Sequence, residues 1–152
     1  MSIIAPGAEV PEFTLKTESG EPFTREDLAA KTTVLVFYPA AFSSVCTDQF
    51  QILEEVLEDL AAEDATVVGV SCDQSDSQTA FRESLGVTIP MLSDFEPKGA
   101  VSRAFGAYWA PDGKSTRALV IVGPDATVKW SWIGEHPGVL PGANLIFDGL
   151  AA

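Results

Sequence analysis

Histidine occurs once in these 152 residues, as His136, and cysteine twice, as Cys46 and Cys72. Two thiols are too few for a disulfide scaffold, and with one imidazole they cannot furnish an ordinary four-ligand zinc site without carboxylates. They are not spaced as Cys-x-x-Cys either, so a local dithiol-exchange motif is missing. No metal and no cofactor is expected, and what remains is one reactive thiol or two inert ones. Positive charge is also scarce, with 9 Lys and Arg against 22 Asp and Glu, a net charge of −13 and a pI near 4.2. A field of that sign repels phosphate backbones and anionic lipid, which argues against nucleic acid and membrane as partners. The same acidity is compatible with an ordinary solvated surface or with a salty cytoplasm. No apolar run approaches the ~20 residues that a membrane-spanning helix needs. The opening Met1-Ser-Ile-Ile-Ala-Pro-Gly7 lacks the basic and apolar regions of a secretory signal. The expectation is a soluble, cytoplasmic protein.

Hydrophobic residues make up 46% of the chain and charged residues 20%, with 12 Gly and 10 Pro dispersed, which excludes collagen-like, coiled-coil and broadly disordered classes. Repeats, linkers and low-complexity tracts are missing, so residues 1–152 read as a single domain, able to bury roughly 70% of its unfolded surface. Phe13 to Lys16 reads as a strand, Glu18 to Pro22 as a turn, and Thr24 to Leu28 as a capped helical turn. Thr32 to Tyr38 holds the unbroken apolar run Val34 to Phe37, the mark of a strand covered on both faces. From Ser44, the residues Phe50, Leu53, Val56, Leu57 and Leu60 recur at helical spacing. Thr66 to Ser71 predicts a second buried strand, Ser77 caps a helix ending at Gly86, and Val87 to Leu92 predicts a further strand. A helix over about Pro97 to Phe105, a hairpin of Ala118 to Val122 with Thr127 to Ile133, and a short helix within Pro141 to Leu150 complete the pattern. Strands alternating with helices, then a hairpin, predict an α/β fold with a mixed central sheet flanked by helices.

The informative segment is Phe37-Tyr-Pro-Ala-Ala-Phe-Ser-Ser-Val-Cys46, where an apolar strand passes through a proline-containing loop into a helix whose first turn carries a cysteine. Reactive groups in open α/β sheets collect beyond the carboxyl ends of strands. Free N–H groups at a helix start favour an anion, and a cysteine there can have its pKa lowered from ~8.5 into a range of about 3.5 to 7.5. Position alone leaves Cys46 open between such a thiolate and a small buried hydrophobe.

Pro39, Ser43 and Cys46 reproduce Pro-x-x-x-Thr/Ser-x-x-Cys, and on this motif the chain resembles the peroxiredoxins. The likeness extends to Pro11–Leu15, Val67–Ser71, Ile89–Asp94, Ala104–Gly106 and Thr116–Ile121, and among subgroups the chain looks most like the one-cysteine AhpE type. The resemblance implies a thioredoxin-like fold and a thiol peroxidase acting on hydrogen peroxide and organic hydroperoxides. In it Cys46, its sulfur ionised and exposed, is the nucleophile that becomes a sulfenic acid, Arg117 is the active-site arginine, Ser43 supplies the hydroxyl and Pro39 fixes the loop and shields the sulfur. Read without the family, Ser43 or Ser44 is equally a helix N-cap, Arg117 a strand-end arginine and Pro39 punctuation. Thiolate fraction alone explains little speed: lowering the pKa raises it about 30-fold, but nucleophilicity falls about tenfold. The larger share must come from donors aimed at the splitting oxygens, where one lost donor can cost about 10². Gln49 stands where the family often has Glu, and so brings no charge to Arg117.

Cys72 ends an apolar strand and reads as buried, with a resolving role as the alternative. The resemblance places other resolving positions at Gln51 and in the tail, where no Cys occurs, so reduction falls to an external thiol, or to a thioredoxin-like or glutaredoxin-like protein. It also implies a homodimer packed through the active-site edge, where Phe42, Tyr108 and Trp109 are expected in loops. Trp130 and Trp132 would share one strand face. His136 could act as base for Cys46 in a cysteine hydrolase, though no orienting partner is evident. The rival class is a non-catalytic thioredoxin-like redox sensor or partner-binding module.

Overall fold

The computed structural model describes residues 3–29 and 31–151. In chain order these form β1 (Thr14–Lys16), β2 (Pro22–Thr24), a 3-10 turn (Arg25–Leu28), β3 (Thr32–Phe37), α1 (Ser44–Glu55), α2 (Leu57–Ala62), β4 (Ala65–Ser71) and α3 (Ser75–Leu85). There follow β5 (Met91–Ser93), α4 (Ala100–Phe105), the two-residue strands β6 (Tyr108–Trp109) and β7 (Lys114–Ser115), β8 (Ala118–Val122), β9 (Val128–Ile133) and α5 (Ala143–Ala151). Seven strands make one mixed sheet in the order β2-β1-β5-β4-β3-β8-β9. At its centre β3, β4 and β5 run parallel, and the β8–β9 hairpin packs antiparallel against β3.

The apolar run of β3 is divided by the pleat, as a strand covered on both faces requires. Val34 and Val36 face a cluster completed by Phe50 and Leu53 of α1, Leu60 of α2, Phe81 of α3 and Ile146 of α5. Leu35 and Phe37 face the opposite cluster, with Val101 and Phe105 of α4 and the N-terminal Val10 and Phe13. Each such side chain, fully buried, contributes about 1.5–3 kcal/mol of transfer free energy. Pairing of Phe37 with Ala118 sets the end of β3 against the start of β8. That register brings Arg117, one residue before β8, to the same sheet end as the loop leaving β3.

Several boundaries differ from expectation. The stripe from Ser44 to Leu60 is interrupted at Val56, whose N–H bonds back three residues to Leu53 O at 3.1 Å, tightening the last turn of α1 before α2 begins. The apolar spacing runs through this break, so periodicity alone did not reveal it. Strand β5 starts at Met91 because only Gly69, Val70 and Ser71 of β4 pair with it, and Pro90 has no N–H to give the ladder. Helix α3 starts at Ser75 with Gln74 at its cap position, leaving Ser77 inside the helix. Helix α4 starts at Ala100 because Gly99 adopts the left-handed region (φ 69°) and the Asp94 carboxylate receives the N–H groups of Val101 and Ser102 at 3.1 and 2.7 Å. Tyr108 and Trp109, expected in a loop, pair with Ser115 and Lys114. Pro22 to Thr24, read as turn and cap, also forms a strand against β1, while the Thr24–Asp27 capping box is present. Trp130 and Trp132 do share a face, partly buried on the side of α5.

Candidate active site

Cys46 occupies the third position of α1, and Ser43 is the N-cap, its Oγ accepting the Cys46 N–H at 3.3 Å. Ser44 is the first helical residue, which removes it as the alternative cap. The chain reaches Ser43 by way of Phe42, a non-glycine residue at φ 66°, a conformation that costs on the order of 1–2 kcal/mol. The Phe42 ring is offset against that cost by an edge-on contact with Phe81 at 5.4 Å, although the residue remains 59% exposed.

Arg117 is 1% exposed and reaches the thiol directly. Its Nη2 donates to Cys46 Sγ at 3.1 Å, Nη1 to Gln49 Oε1 at 2.6 Å and Nε to Pro137 O at 2.9 Å. Of these three acceptors only the Cys46 sulfur can become an anion. A buried guanidinium costs several kcal/mol unless its donors are satisfied, and these three acceptors take one donor from each of its nitrogens. Gln49, itself 3% exposed, fixes the plane of the fork without competing for its charge. Asp48, two residues after Cys46, faces solvent.

Sequence reasoning expected an exposed sulfur, and here the structure differs: Cys46 is 0% exposed and belongs to the apolar cluster of Tyr38, Phe50 and Leu119. The cause lies in the amphipathic phase of α1, which turns position 46 to the same buried side as Phe50 and Leu53. The structure therefore brings together Cys46, Ser43, Arg117 and Gln49. Pro39, also buried, leads the loop and walls a cavity of about 200 Å³ with Ala40, Cys72, Asp73 and Lys98. A larger cavity of about 490 Å³ is lined by Phe13, Arg25 and Pro97 and does not include the thiol.

Cys72 lies on the other side of the sheet. Ser71 turns toward Gln78 of α3, and the next residue, Cys72, packs its sulfur 3.6 Å from Ser115 Oγ, which in turn bonds Ser102 of α4 at 2.7 Å. Burial, and after it the nearby Asp94 charge, push the Cys72 thiol pKa upward against the opposing Ser115 hydrogen bond. Both cysteines are free. His136 is exposed, and its Nδ1 accepts the Gly138 N–H at 3.1 Å. The contribution of its loop to the site is instead the Pro137 carbonyl. No side-chain pattern announces a backbone acceptor, which is why the sequence did not reveal it.

A mixed sheet with three central parallel strands, an antiparallel hairpin beside them, and a thiol under an arginine at the strand ends defines a thioredoxin-like protein built for thiol chemistry. The AhpC/TSA family model matches residues 6–131. Alkyl hydroperoxide reductase E of Mycobacterium tuberculosis is 31% identical over 147 residues, covering 96% of this chain and 95% of that protein. Among solved structures, Enterococcus faecalis AhpC superposes with a TM-score of 0.87 at 27% identity, covering 96% of this chain and 90% of that one. The peroxidoxin BcpB of Mycobacterium tuberculosis superposes with a TM-score of 0.82 at 27% identity, over 96% and 94%. The chain belongs to the AhpC/TSA family, the peroxiredoxins, and is a thiol-dependent peroxidase.

Proposed function

We propose that Cys46 is the peroxidatic nucleophile, acting on hydrogen peroxide and organic hydroperoxides. The observation that carries this is the 3.1 Å contact from Arg117 Nη2 to Cys46 Sγ within the first turn of a capped helix. The thiolate attacks one peroxide oxygen, an S–O bond forms as the O–O bond breaks, and the leaving oxygen departs with a proton as water or alcohol. Charge moves from sulfur to the leaving oxygen, so donors already fixed around the sulfur act where charge develops. Arg117 supplies that fork, Ser43 a hydroxyl able to accept from the peroxide O–H and donate to an oxygen, and Pro39 the fixed entry to the loop. The covered sulfur requires the segment from Pro39 to Val45 to move for peroxide entry.

The sulfenic acid is reduced by an external thiol, forming a mixed disulfide and water, and a second thiol then releases Cys46. Separation of Cys72 from Cys46 by the sheet supports this one-cysteine route over a resolving role for Cys72. Two free cysteines fit a reducing cytoplasm. Exposed Phe42 beside the site supports homodimer packing along that edge. Among the described residues no helix is long and apolar enough to cross a membrane.

The test is mass spectrometry after one equivalent of peroxide, together with steady-state peroxide consumption on a supplied thiol. A sulfenic acid on Cys46 and sustained turnover are expected. Oxidation without turnover would favour the redox-sensor reading, and a Cys46–Cys72 disulfide would restore a two-cysteine route.

A further inference from the structure

The loop between β3 and α1 is tied to the end of β4 by a side chain that the reaction scheme above leaves unused. Asp73 Oδ2 accepts the Ala41 backbone N–H at 2.8 Å and the Ser71 hydroxyl at 2.8 Å. The direction of these bonds is fixed from behind. Gln78, 0% exposed, donates through Nε2 to Ser71 Oγ at 2.8 Å and to Leu92 O at 2.8 Å. Because Ser71 Oγ accepts from Gln78, its single proton is left for Asp73. The chain of donors therefore runs from the buried floor of α3 to one carboxylate oxygen, and that oxygen holds Ala41.

Ala41 is two residues before Ser43 and immediately precedes the left-handed Phe42. A loop carrying that strain persists only where its surroundings over-determine it. Of its ties, Phe42 on Phe81 is an exposed ring contact, whereas Ala41 to Asp73 is a charge-assisted hydrogen bond. We propose that Asp73 is a positioning residue for the peroxidase reaction. It acts through the Ala41 N–H to hold Ser43, and with it the Cys46 backbone, in the geometry that receives the peroxide. This inference rests on Cys46 being the nucleophile and goes beyond it by naming what aims the loop.

The test compares two rates on each variant: oxidation of Cys46 by hydrogen peroxide, and alkylation of Cys46 by iodoacetamide, resolved from Cys72 by fragment spectra. Both reagents need the loop to open to reach a sulfur that is covered in the native fold, but peroxide reduction also needs the loop to return to its aimed geometry around the peroxide, whereas alkylation does not. Asp73→Ala is expected to lower the oxidation rate by about 10- to 100-fold, the scale of an ångström-sized misplacement, while raising alkylation. Asp73→Asn retains an oxygen able to accept both bonds and is expected to recover most of the oxidation rate. Ser71→Ala, which removes the hydroxyl but leaves Ala41 its acceptor, should move both rates in the same directions by less.

Opposite movement of the two rates supports the positioning role. If both rates remain at wild-type values in Asp73→Ala, or fall in proportion, the proposal is overturned. It is equally overturned if Asp73→Asn behaves as Asp73→Ala, since charge rather than the hydrogen bond would then be responsible. Should Asp73→Ala not fold, Ser71→Ala must show the same divergence, and its absence counts against the idea. Failure of the underlying reading is visible separately, as wild-type protein in which peroxide leaves Cys46 unoxidised.

Discussion

The Arg117 guanidinium donates from adjacent nitrogens to the Cys46 sulfur at 3.1 Å and to the Gln49 side-chain oxygen at 2.6 Å. One planar fork thus reads two residues a single helical turn apart on α1, and the third donor is pinned by Pro137 O. A rigid, buried cation of this kind can stabilise charge redistribution without reorganising.

Replacing Arg117 by Ala should lower the second-order rate of Cys46 oxidation by about 10²-fold or more, even at a pH where the thiol is fully ionised. Stopped-flow rates across pH separate the two contributions. A deficit that vanishes once the thiolate fraction is matched would leave Arg117 no role in the transition state. Arg117→Lys keeps the charge but not the fork, and should recover only part of the loss.

Cys46→Ser is expected to abolish peroxide consumption, while Cys72→Ser leaves it largely intact. Consumption on a supplied thiol measures both. Equal loss in the two variants would mean that both sulfurs take part.

Ser43→Ala removes the hydroxyl that accepts the Cys46 N–H. Loss of an N-cap of this kind costs about 1 kcal/mol, so a lower Tm should accompany slower oxidation. Ser43→Thr keeps the oxygen and should preserve both quantities. A Thr variant as slow as the Ala variant would show that shape, and not the hydroxyl, matters at this position.

Stability at alkaline pH follows from Cys72 with a definite sign. Its pKa in the fold is raised above that of an unfolded thiol, chiefly by burial. The stabilisation is therefore fully present below the unfolded thiol value of about 8.5 and is lost as pH rises through the folded value. Buried Tyr38, also shifted upward, adds a loss of the same sign at still higher pH. Thermal unfolding of Cys72→Ala should fall less steeply above roughly pH 9 than that of the wild type. Parallel curves would contradict this.

Gly149 of α5 lies so close to Trp130 that an added Cβ would stand 2.6 Å from its ring and 2.7 Å from Ile121 Cδ1. Gly149→Ala should therefore cost about 1–3 kcal/mol by overpacking. Calorimetry checks the lower Tm, and Trp fluorescence the displaced ring.

Much of this was legible in the sequence for identifiable reasons. The run Val34 to Phe37 could belong only to a strand covered twice, and the spacing of Phe50, Leu53 and Leu60 only to a helix lying on it. Cys46, Ser43 and Arg117 were named because their motif is specific, and the register of β3 with β8 brings them to one sheet end. Pairing and special backbone decided what was missed. Tyr108 and Trp109 are strand residues only because Ser115 and Lys114 return beside them, and the break at Val56 leaves no mark in the apolar spacing. Asp73 carried a faint signal, a carboxylate two residues after Ser71 at a strand end. Its meaning depended on β4 lying next to β3, which is tertiary information.

The sheet that parts the two sulfurs also determines where oxidising equivalents go. With Cys46 under α1 and Cys72 against Ser115 and Ser102, the folded chain has no internal crosslink in which to bank a spent turnover. On the proposed one-cysteine route each cycle is closed by another molecule, so turnover would follow the supply of reductant at least as closely as the supply of peroxide.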